Sequence, residues 1–525
     1  MPEPLLAGAA SVDIAPPLGL PMLGFVRRQE GAATYGLPLE ASAIVLATAS
    51  ERVVLCGIDT LGIGSPEVDE LRARVAEVTG ARPAGVLLNW NHTHNAPPAC
   101  RSLLRRSGLL ATDGDERIDA YWAYLCERVL EVARAATARL EPAAVVWGTG
   151  EVDLSVNRRE RGPDGDIVHG WREDGLLDRQ VVSLQVRRHD ESAIATLVSY
   201  GCHTVSVGMD FPGYSSDFPG ALRRRVREWT GGECVFFQGA AGNVLPRMSF
   251  VEDEREAEHM GERLALESLR SLADASAWPR RIVQRSDGSL IPMLLLRWEE
   301  LPERGEMLGA AEERIAFPLL PLPSEGELEQ IVDEYDGELR RAVARGAGAA
   351  EQCGLMYHLK WARTTLGDVR AGRAEASVSG SIHALRIGDG VIVTAPGETF
   401  TEIGMAVKQR APGRPTLYAP YTNGAVGYFP TAEAYVEGGY EPAYSNRSYG
   451  QPSPVAPTCE RLLVERGVRL AESLFPEHEP YTGAGWSADG PVPVLVLEPL
   501  RRPAGGEYTP PRTARHPQPT LDDGA

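Results

Sequence analysis

The chain has 525 residues, 43% of them hydrophobic, with 53 basic against 72 acidic side chains for a net charge of −19. That length and apolar content support a sizeable core, as one large domain or two to three ordinary ones. The negative balance argues against a nucleic-acid or anionic-membrane surface, and the 7 cysteines, spaced singly without CxxC pairs, argue against a disulfide framework and a thiolate zinc site.

Met1-Pro2-Glu3-Pro4 lacks a basic segment followed by an apolar stretch, and no apolar run approaches membrane-spanning length. The expectation is a cytoplasmic protein without stable membrane insertion; no oligomeric state follows from the sequence. The first clear unit is βαβ. Val53-Val54-Leu55-Cys56-Gly57-Ile58 reads as a buried strand, and Ser65-Pro66-Glu67 supplies an N-cap, a first-turn proline and an acidic first turn. Val68, Leu71, Val75 and Val78 recur at helical spacing until Gly80 stops the helix. The next strand, Val86-Leu87-Leu88, runs into Asn91-His92-Thr93-His94. Asp59 closes the preceding strand, where it either orients an imidazole or satisfies a loop or helix end.

A helix near 115–140 and a hairpin near 145–186 follow. The strand at 195–200 runs into Gly201-Cys202-His203; a helix near 217–229 then leads to a strand at 233–238 and a glycine-rich turn, Gly239-Ala240-Ala241-Gly242-Asn243-Val244. That turn lacks the Lys-Ser/Thr ending of a phosphate loop. Next come a helix near 252–272, a proline-spaced connector at 318–323 and a helix for which Ser324 and Glu327 have capping-box spacing. After a helix near 351–366, the Gly388-Asp389-Gly390 turn introduces Val391-Ile392-Val393-Thr394, which runs into Pro396-Gly397-Glu398. Another helix and strand lead to Pro420-Tyr421-Thr422-Asn423-Gly424 and a tyrosine-rich stretch. The β-then-α alternation calls for an α/β fold, and residues 486–525, rich in Pro, Gly and Arg, read as a disordered tail.

Three strands thus end in His, His and Glu, the open-site ligand types of a hydrolytic zinc ion, at the strand edge where α/β folds gather such groups. His92 and His94, one residue apart, project to the same face of an extended segment. Both can chelate one metal, or one can ligate while the other handles protons. Asn95-Ala96-Pro97 breaks the HxHxDH pattern of a metallo-β-lactamase-type site. With Lys360 and Lys408 as the only lysines, the bridging lysine of an amidohydrolase barrel is hard to supply. Taken singly, His203 reads as a half-buried histidine and Glu398 as the first-turn acid of a helix starting near Thr399. Of the scattered histidines, only His169, in a glycine-rich loop, merits testing; His358 reads as surface or core.

Ala7-Gly8-Ala9-Ala10-Ser11-Val12-Asp13-Ile14-Ala15-Pro16-Pro17, His92-Thr93-His94, Gly201-Cys202-His203, residues 238–246, Pro321-Leu322-Pro323-Ser324, Pro396-Gly397-Glu398 and the tyrosine segment Tyr428, Tyr435, Gly439-Tyr440-Glu441 together resemble the catalytic domain of neutral ceramidases. The resemblance runs in order over roughly residues 5 to 475. It implies one domain at 1–485 with mixed β-sheets flanked by helices; as a departure from the family, no C-terminal β-sandwich is expected. It also implies a zinc ion held by His92, His203, Glu398 and Tyr428, with His94 and Tyr440 as catalytic groups beside it. Asn157-Arg158-Arg159 resembles the family's Asn-Arg-Ser segment, which brings Arg158 to the site. The family's Gly-Asp-Val-Ser-Pro-Asn turn, with its catalytic serine, is Gly242-Asn243-Val244-Leu245-Pro246-Arg247 here. Leu245 can neither attack a carbonyl nor hydrogen-bond one.

These readings converge on a zinc-dependent amidohydrolase-type enzyme, not a ceramidase, that cleaves an amide or related C–N bond of a soluble small molecule with a metal-activated water. His94 would shuttle the proton and Tyr440 would donate to the oxyanion. Asn243 and Arg247 are the expected substrate-binding residues, with Arg158 or Arg247 pairing with a substrate carboxylate. Two alternatives remain at this stage: metal-assisted acyl transfer or cyclisation in a biosynthetic pathway, and a catalytically inactive binding protein of the same fold.

Overall fold

A computed structural model describes residues 3–28, 30–99, 104, 116–273, 275–278, 280–286, 294–300 and 305–476; the tail at 486–525 lies outside them. The apolar runs build an eight-stranded sheet. In chain order the strands are β1 (Leu5–Asp13), β2 (Glu40–Ala47), β3 (Arg52–Ile58), β4 (Val86–Trp90), β5 (Glu141–Glu151), β6 (Ser155–Arg161), β7 (Ile167–Arg172), β8 (Gln180–Arg187), β9 (Ala193–Tyr200), β10 (Glu233–Gln238) and β11 (Val244–Pro246). The large sheet has the order β10-β9-β8-β5-β1-β2-β3-β4, while β11-β6-β7 form a small sheet of their own. The hairpin expected near 145–186 is real in its outer pair, since Val145 faces Val186 across β5 and β8. The chain inserts β6 and β7 between those two strands.

Only the two outermost pairs are parallel: β4 beside β3, and β10 beside β9. A parallel pair needs a crossover, and each has one: α1 (Glu67–Thr79) in the first, and α3 (Phe218–Thr230) in the second, with α2 (Glu116–Ala138) lying between β4 and β5. Val68, Leu71 and Val75 of α1 are buried, and the left-handed Gly80 ends the helix. The expected N-cap moves by one residue: Pro66 occupies the cap without a side-chain bond, and Glu67, Asp69 and Glu70 fill the first turn. α4 (Arg255–Leu272) packs on α3.

A second sheet lies against the first. It comprises β12 (Leu308–Pro318), β13 (Ser377–Ile387), β14 (Gly390–Thr394) and β16 (Thr416–Ala419), with β15 (Glu398–Thr399) and β17 (Tyr428–Phe429) paired apart. Leu46, Leu55, Leu87 and Leu197 of the large sheet share one buried cluster with Leu385, Ile392 and Leu417 of the small one. The outer faces are covered by α1 and α2 on one side, and by α7 (Thr401–Arg410) and α8 (Thr458–Glu472) on the other. The strands of such a stack are apolar on both faces, and every residue of β4, β9 and β14 is buried. Before α7, α5 (Glu325–Ala344) and α6 (Ala349–Arg370) form a helical pair, and the Ser324–Glu327 capping box is present.

The open edge of β4 would be a liability if left bare. The segment after β16 covers it: Trp90 N–H donates to Tyr421 O, and the Asn423 amide bonds Leu88 N–H and Val86 O at 2.9 and 2.8 Å. That contact brings the end of the second sheet to the end of the first. Among the described residues no helix is long and apolar enough to cross a membrane.

Two sequence expectations change. Glu398 sits in a strand, and the following helix begins at Thr401. Asp59 orients no imidazole: its carboxylate accepts from both Arg223 Nη atoms at 2.8 and 2.5 Å and from Glu40 N–H at 2.7 Å. Both partners are buried, so deleting one strands a charge in the interior. Asp59→Ala is expected to lower stability by about 3–5 kcal/mol, read from urea melts. Asp59→Leu with Arg223→Met should recover most of the loss.

Candidate active site

β4 ends at Trp90, and the chain turns two residues later through His92, a non-glycine residue at φ 64°. Such a backbone persists only where its surroundings hold it; His92 N–H is held by Thr60 O at 3.1 Å. His92 Nδ1 lies 2.7 Å from Leu61 O, and His203, three residues past β9, has Nδ1 2.6 Å from Ala241 O. A carbonyl only accepts, so both Nδ1 atoms carry a proton, and both rings are turned with Nε2 toward Glu398.

The register of β15 beside β17 sets Glu398 opposite Tyr428. Glu398 Oε2 is 3.2 Å from His92 Nε2 and 3.3 Å from His203 Nε2, and Tyr428 Oη is 3.4 Å from His203 Nε2. Bonds of 2.0–2.2 Å from zinc to N or O put tetrahedral ligands about 3.3–3.6 Å apart, which the donor spacing here matches. Burial drives the His203 imidazolium down, with Arg158 acting the same way, to about 4. Burial alone would raise the Glu398 carboxyl, but His92 and His203 outweigh it and hold it well below the usual carboxylate range. Two imidazole nitrogens and a carboxylate oxygen converging at this spacing are the donor types that a divalent ion of the N/O-binding kind takes, so the set fits such an ion. His94 supplies a second way to complete the set. Its ring nitrogens have no hydrogen-bond partner among the described residues, and ligand atoms of His92, His94 and His203 all lie within 4.8 Å of one another.

Two tyrosines that the sequence reading assigned no role bind the same carboxylate. Tyr421 Oη donates to Glu398 Oε2 at 3.3 Å, and Tyr449 Oη donates to Oε1. Tyr421 follows β16 directly and sits at φ 60°, so the strand-end rule that picked out His203 picks it out too. Tyr449 ends the short 3-10 helix Ser445–Tyr449, which carries no such mark.

Arg158 is wholly buried. Its Nε donates to Glu441 at 2.7 Å and its Nη2 to Tyr428 Oη at 3.2 Å, and Nη1 lies 3.4 Å from His203 Nε2. Arg159 takes the other Glu441 oxygen at 2.6 Å. Tyr440 packs edge-on to Tyr428 at 5.6 Å between ring centres, and its hydroxyl meets Ser448 at 3.2 Å. His169 packs on the other side of Tyr440 at 5.4 Å, with Nε2 3.4 Å from Glu441.

His92, His94, His203, Glu398, Tyr428, Tyr440, Arg158 and His169 all line one cavity of about 480 Å³, and Leu245 forms part of its apolar wall. Asn243 and Arg247, the expected substrate contacts, are not among its lining residues. The Asn243 side chain is consumed by the first turn of α7, its Oδ1 taking Thr401 N–H at 2.9 Å and its Nδ2 bonding Glu402 at 2.9 Å. Arg247 is drawn aside by Asp153 at 3.2 Å and Glu173 at 3.5 Å.

No protein-family model and no curated protein matches this chain. Solved structures do. A ceramidase complexed with C2 superposes with a TM-score of 0.63 at 17% identity, over 93% of this chain and 77% of that one. Neutral ceramidase from Pseudomonas aeruginosa superposes with a TM-score of 0.60 at 18% identity, over the same shares of 93% and 77%. The mixed α/β architecture described above is the fold of the neutral ceramidase catalytic domain.

Proposed function

We propose that this chain is a zinc-dependent hydrolase that cleaves an amide or related C–N bond in a small molecule. The observation that carries the reading is the convergence of two Nε2 atoms and one carboxylate oxygen at 3.2 and 3.3 Å, with both Nδ1 atoms tied to backbone carbonyls. His92, His203 and Glu398 would hold the ion, with Tyr428 or His94 as the fourth ligand. When bound, the ion polarises a carbonyl and lowers the pKa of water.

The remaining steps belong to the chain's own side chains. Burial, with His92 and His203 beside it, holds the His94 imidazolium well below its ordinary range. The ring is therefore neutral near pH 7, with a nitrogen open to accept the proton of the attacking water. Burial, with Tyr357 next, pushes the Tyr440 phenol up, so it stays protonated and donates a hydrogen bond where negative charge develops. Leu245 is 3% exposed and packs with Val156 and Val205. No hydroxyl stands there to form an acyl-enzyme, which supports direct attack by water. A cavity of about 480 Å³ has the size of small-molecule sites, which supports a small substrate. Buried free thiols at Cys56, Cys202 and Cys234 support a reducing, cytoplasmic setting.

Elemental analysis tests the metal. About one zinc per chain is expected, lost in His203→Ala and Glu398→Ala; correctly folded variants with unchanged zinc would refute the site. His94→Ala separates the two ligand sets. Zinc retained with kcat down by about 10²–10⁴ marks a proton carrier, whereas zinc lost marks a ligand. Tyr440→Phe is expected to keep zinc and lose about 10²–10³ in kcat. Product masses should show the added elements of water; their absence would replace hydrolysis by cyclisation or transfer.

Arg158 needs its own anchor. Burial would raise the Glu441 carboxyl, but Arg158, then His169 and Arg159, hold it well below the usual range. A carboxylate with a depressed folded pKa stabilises fully above its unfolded value of about 4.3, and that contribution is lost as pH falls below it. Glu441→Gln should therefore cost about 3–5 kcal/mol at neutral pH. It should also flatten the fall of the urea midpoint between about pH 5 and pH 3.

A further inference from the structure

Behind one wall of the cavity lies a charge that the hydrolytic chemistry does not use. Arg447 is buried, its Nη1 donating to Tyr335 Oη at 3.1 Å and to His358 Nδ1 at 2.8 Å. Its guanidinium lies 4.4 Å from the Trp361 ring centre. Arg158, Arg159 and Arg223 each meet a carboxylate. Among the described residues none pairs with Arg447. A guanidinium does not deprotonate, and a buried charge without a counter-ion is costly, so this site holds one unit of positive charge in want of an anion.

His358 carries that charge to the cavity. Because Arg447 only donates, His358 Nδ1 must accept, and the ring proton sits on Nε2. The ring stacks on Tyr335 at 5.0 Å and packs against Tyr357 at 4.8 Å, which fixes its plane. Burial, with Arg447 beside it, drives its imidazolium down to about 3, so the ring stays neutral and the tautomer holds. His358 lines the cavity with Tyr357, Tyr444 and Ser448, and Nε2–H has no protein partner among the described residues. Hydroxyls connect this wall to the His/Glu cluster. Tyr357 Oη meets Ser448 Oγ at 2.9 Å, Ser448 Oγ meets Tyr440 Oη at 3.2 Å, and Tyr440 packs on Tyr428.

We propose, on the hydrolase reading of this same cavity, that His358 backed by Arg447 is the subsite for a carboxylate on the substrate. Nε2–H donates to a carboxylate oxygen, and the guanidinium behind it polarises that donor and neutralises the anion. One uncompensated charge calls for a monoanion, which a carboxylic acid provides. The substrate is then an amide bearing a carboxylate away from the scissile bond, recognised by His358 rather than by Arg158, which already has Glu441 as its carboxylate partner, or Arg247, which does not line the cavity.

Hexanoate and its neutral isostere hexanamide test this on the full-length, metal-loaded protein by titration calorimetry. Hexanoate should bind roughly tenfold or more tighter than hexanamide. His358→Phe, which keeps the aromatic stack, should abolish the preference, and His203→Ala should keep it. A preference that survives in His358→Phe overturns the proposal, as does one lost in His203→Ala, which would put the carboxylate on the metal. Should His358→Phe not fold, ¹⁵N-histidine spectra of the wild type decide. Hexanoate, and not hexanamide, should move the Nε2–H signal that is missing in His358→Gln; an unmoved signal refutes the subsite. Zinc content and turnover judge the hydrolase reading separately, since the carboxylate preference requires neither.

Discussion

The whole site depends on keeping Glu398 ionised in the interior. A buried carboxylate is tolerated only where donors or cations surround it, and no single element of this fold can supply them. His92 arrives from beyond edge strand β4 of the large sheet, His203 from beyond β9 near its opposite side, Tyr421 from the end of the second sheet and Tyr449 from the short 3-10 helix Ser445–Tyr449. The two sheets must therefore meet at these ends. The lattice of bonds from Asn423 and Tyr421 to the exposed edge of β4 makes them do so. That edge contact closes the core and also sets the spacing of the ligand atoms.

Backbone strain collects at the same place. His92, Tyr421 and Asn423 all hold positive φ, a conformation that side-chain-bearing residues adopt at a cost of order 1–3 kcal/mol each. Each is fixed by hydrogen bonds to the opposite segment. The result is a fixed backbone at the strand ends that carry the candidate ligands.

Strands, crossover helices and the His92, His203 and Glu398 ends were legible in the sequence because they rest on local signals. These are apolar runs long enough for one strand, helical spacing stopped by glycine, and polar residues following at once. Tyr428, Tyr440 and Arg158 have no such signal and came through ordered resemblance. Tyr449 was invisible because its partner lies 51 residues away, and a tyrosine in a short 3-10 helix looks the same whether it packs or bonds. Asn243 and Arg247 were misplaced for the opposite reason. The resemblance aligns their turn, but their side chains answer to Thr401, Glu402, Asp153 and Glu173, which no local pattern announces. The insertion of β6 and β7 into the 145–186 hairpin was hidden likewise, since their long-range partner is β11.

The lysine-poor composition has a physical consequence for the cavity. Its buried cations are guanidinium groups, which stay charged at every accessible pH and bind through a planar fork. One carboxylate can therefore serve two of them, as Glu441 serves Arg158 and Arg159. Arg158, fixed in this way 3.4 Å from His203 Nε2, supplies a constant positive charge that helps keep that imidazole neutral. A lysine there could lose its proton when buried and release the imidazole from that influence. With the cations permanent, His94 is the ring in the cavity whose nitrogens have no hydrogen-bond partner among the described residues. The same fixed charges leave Glu398 as the carboxylate to which both the His92 and His203 rings turn.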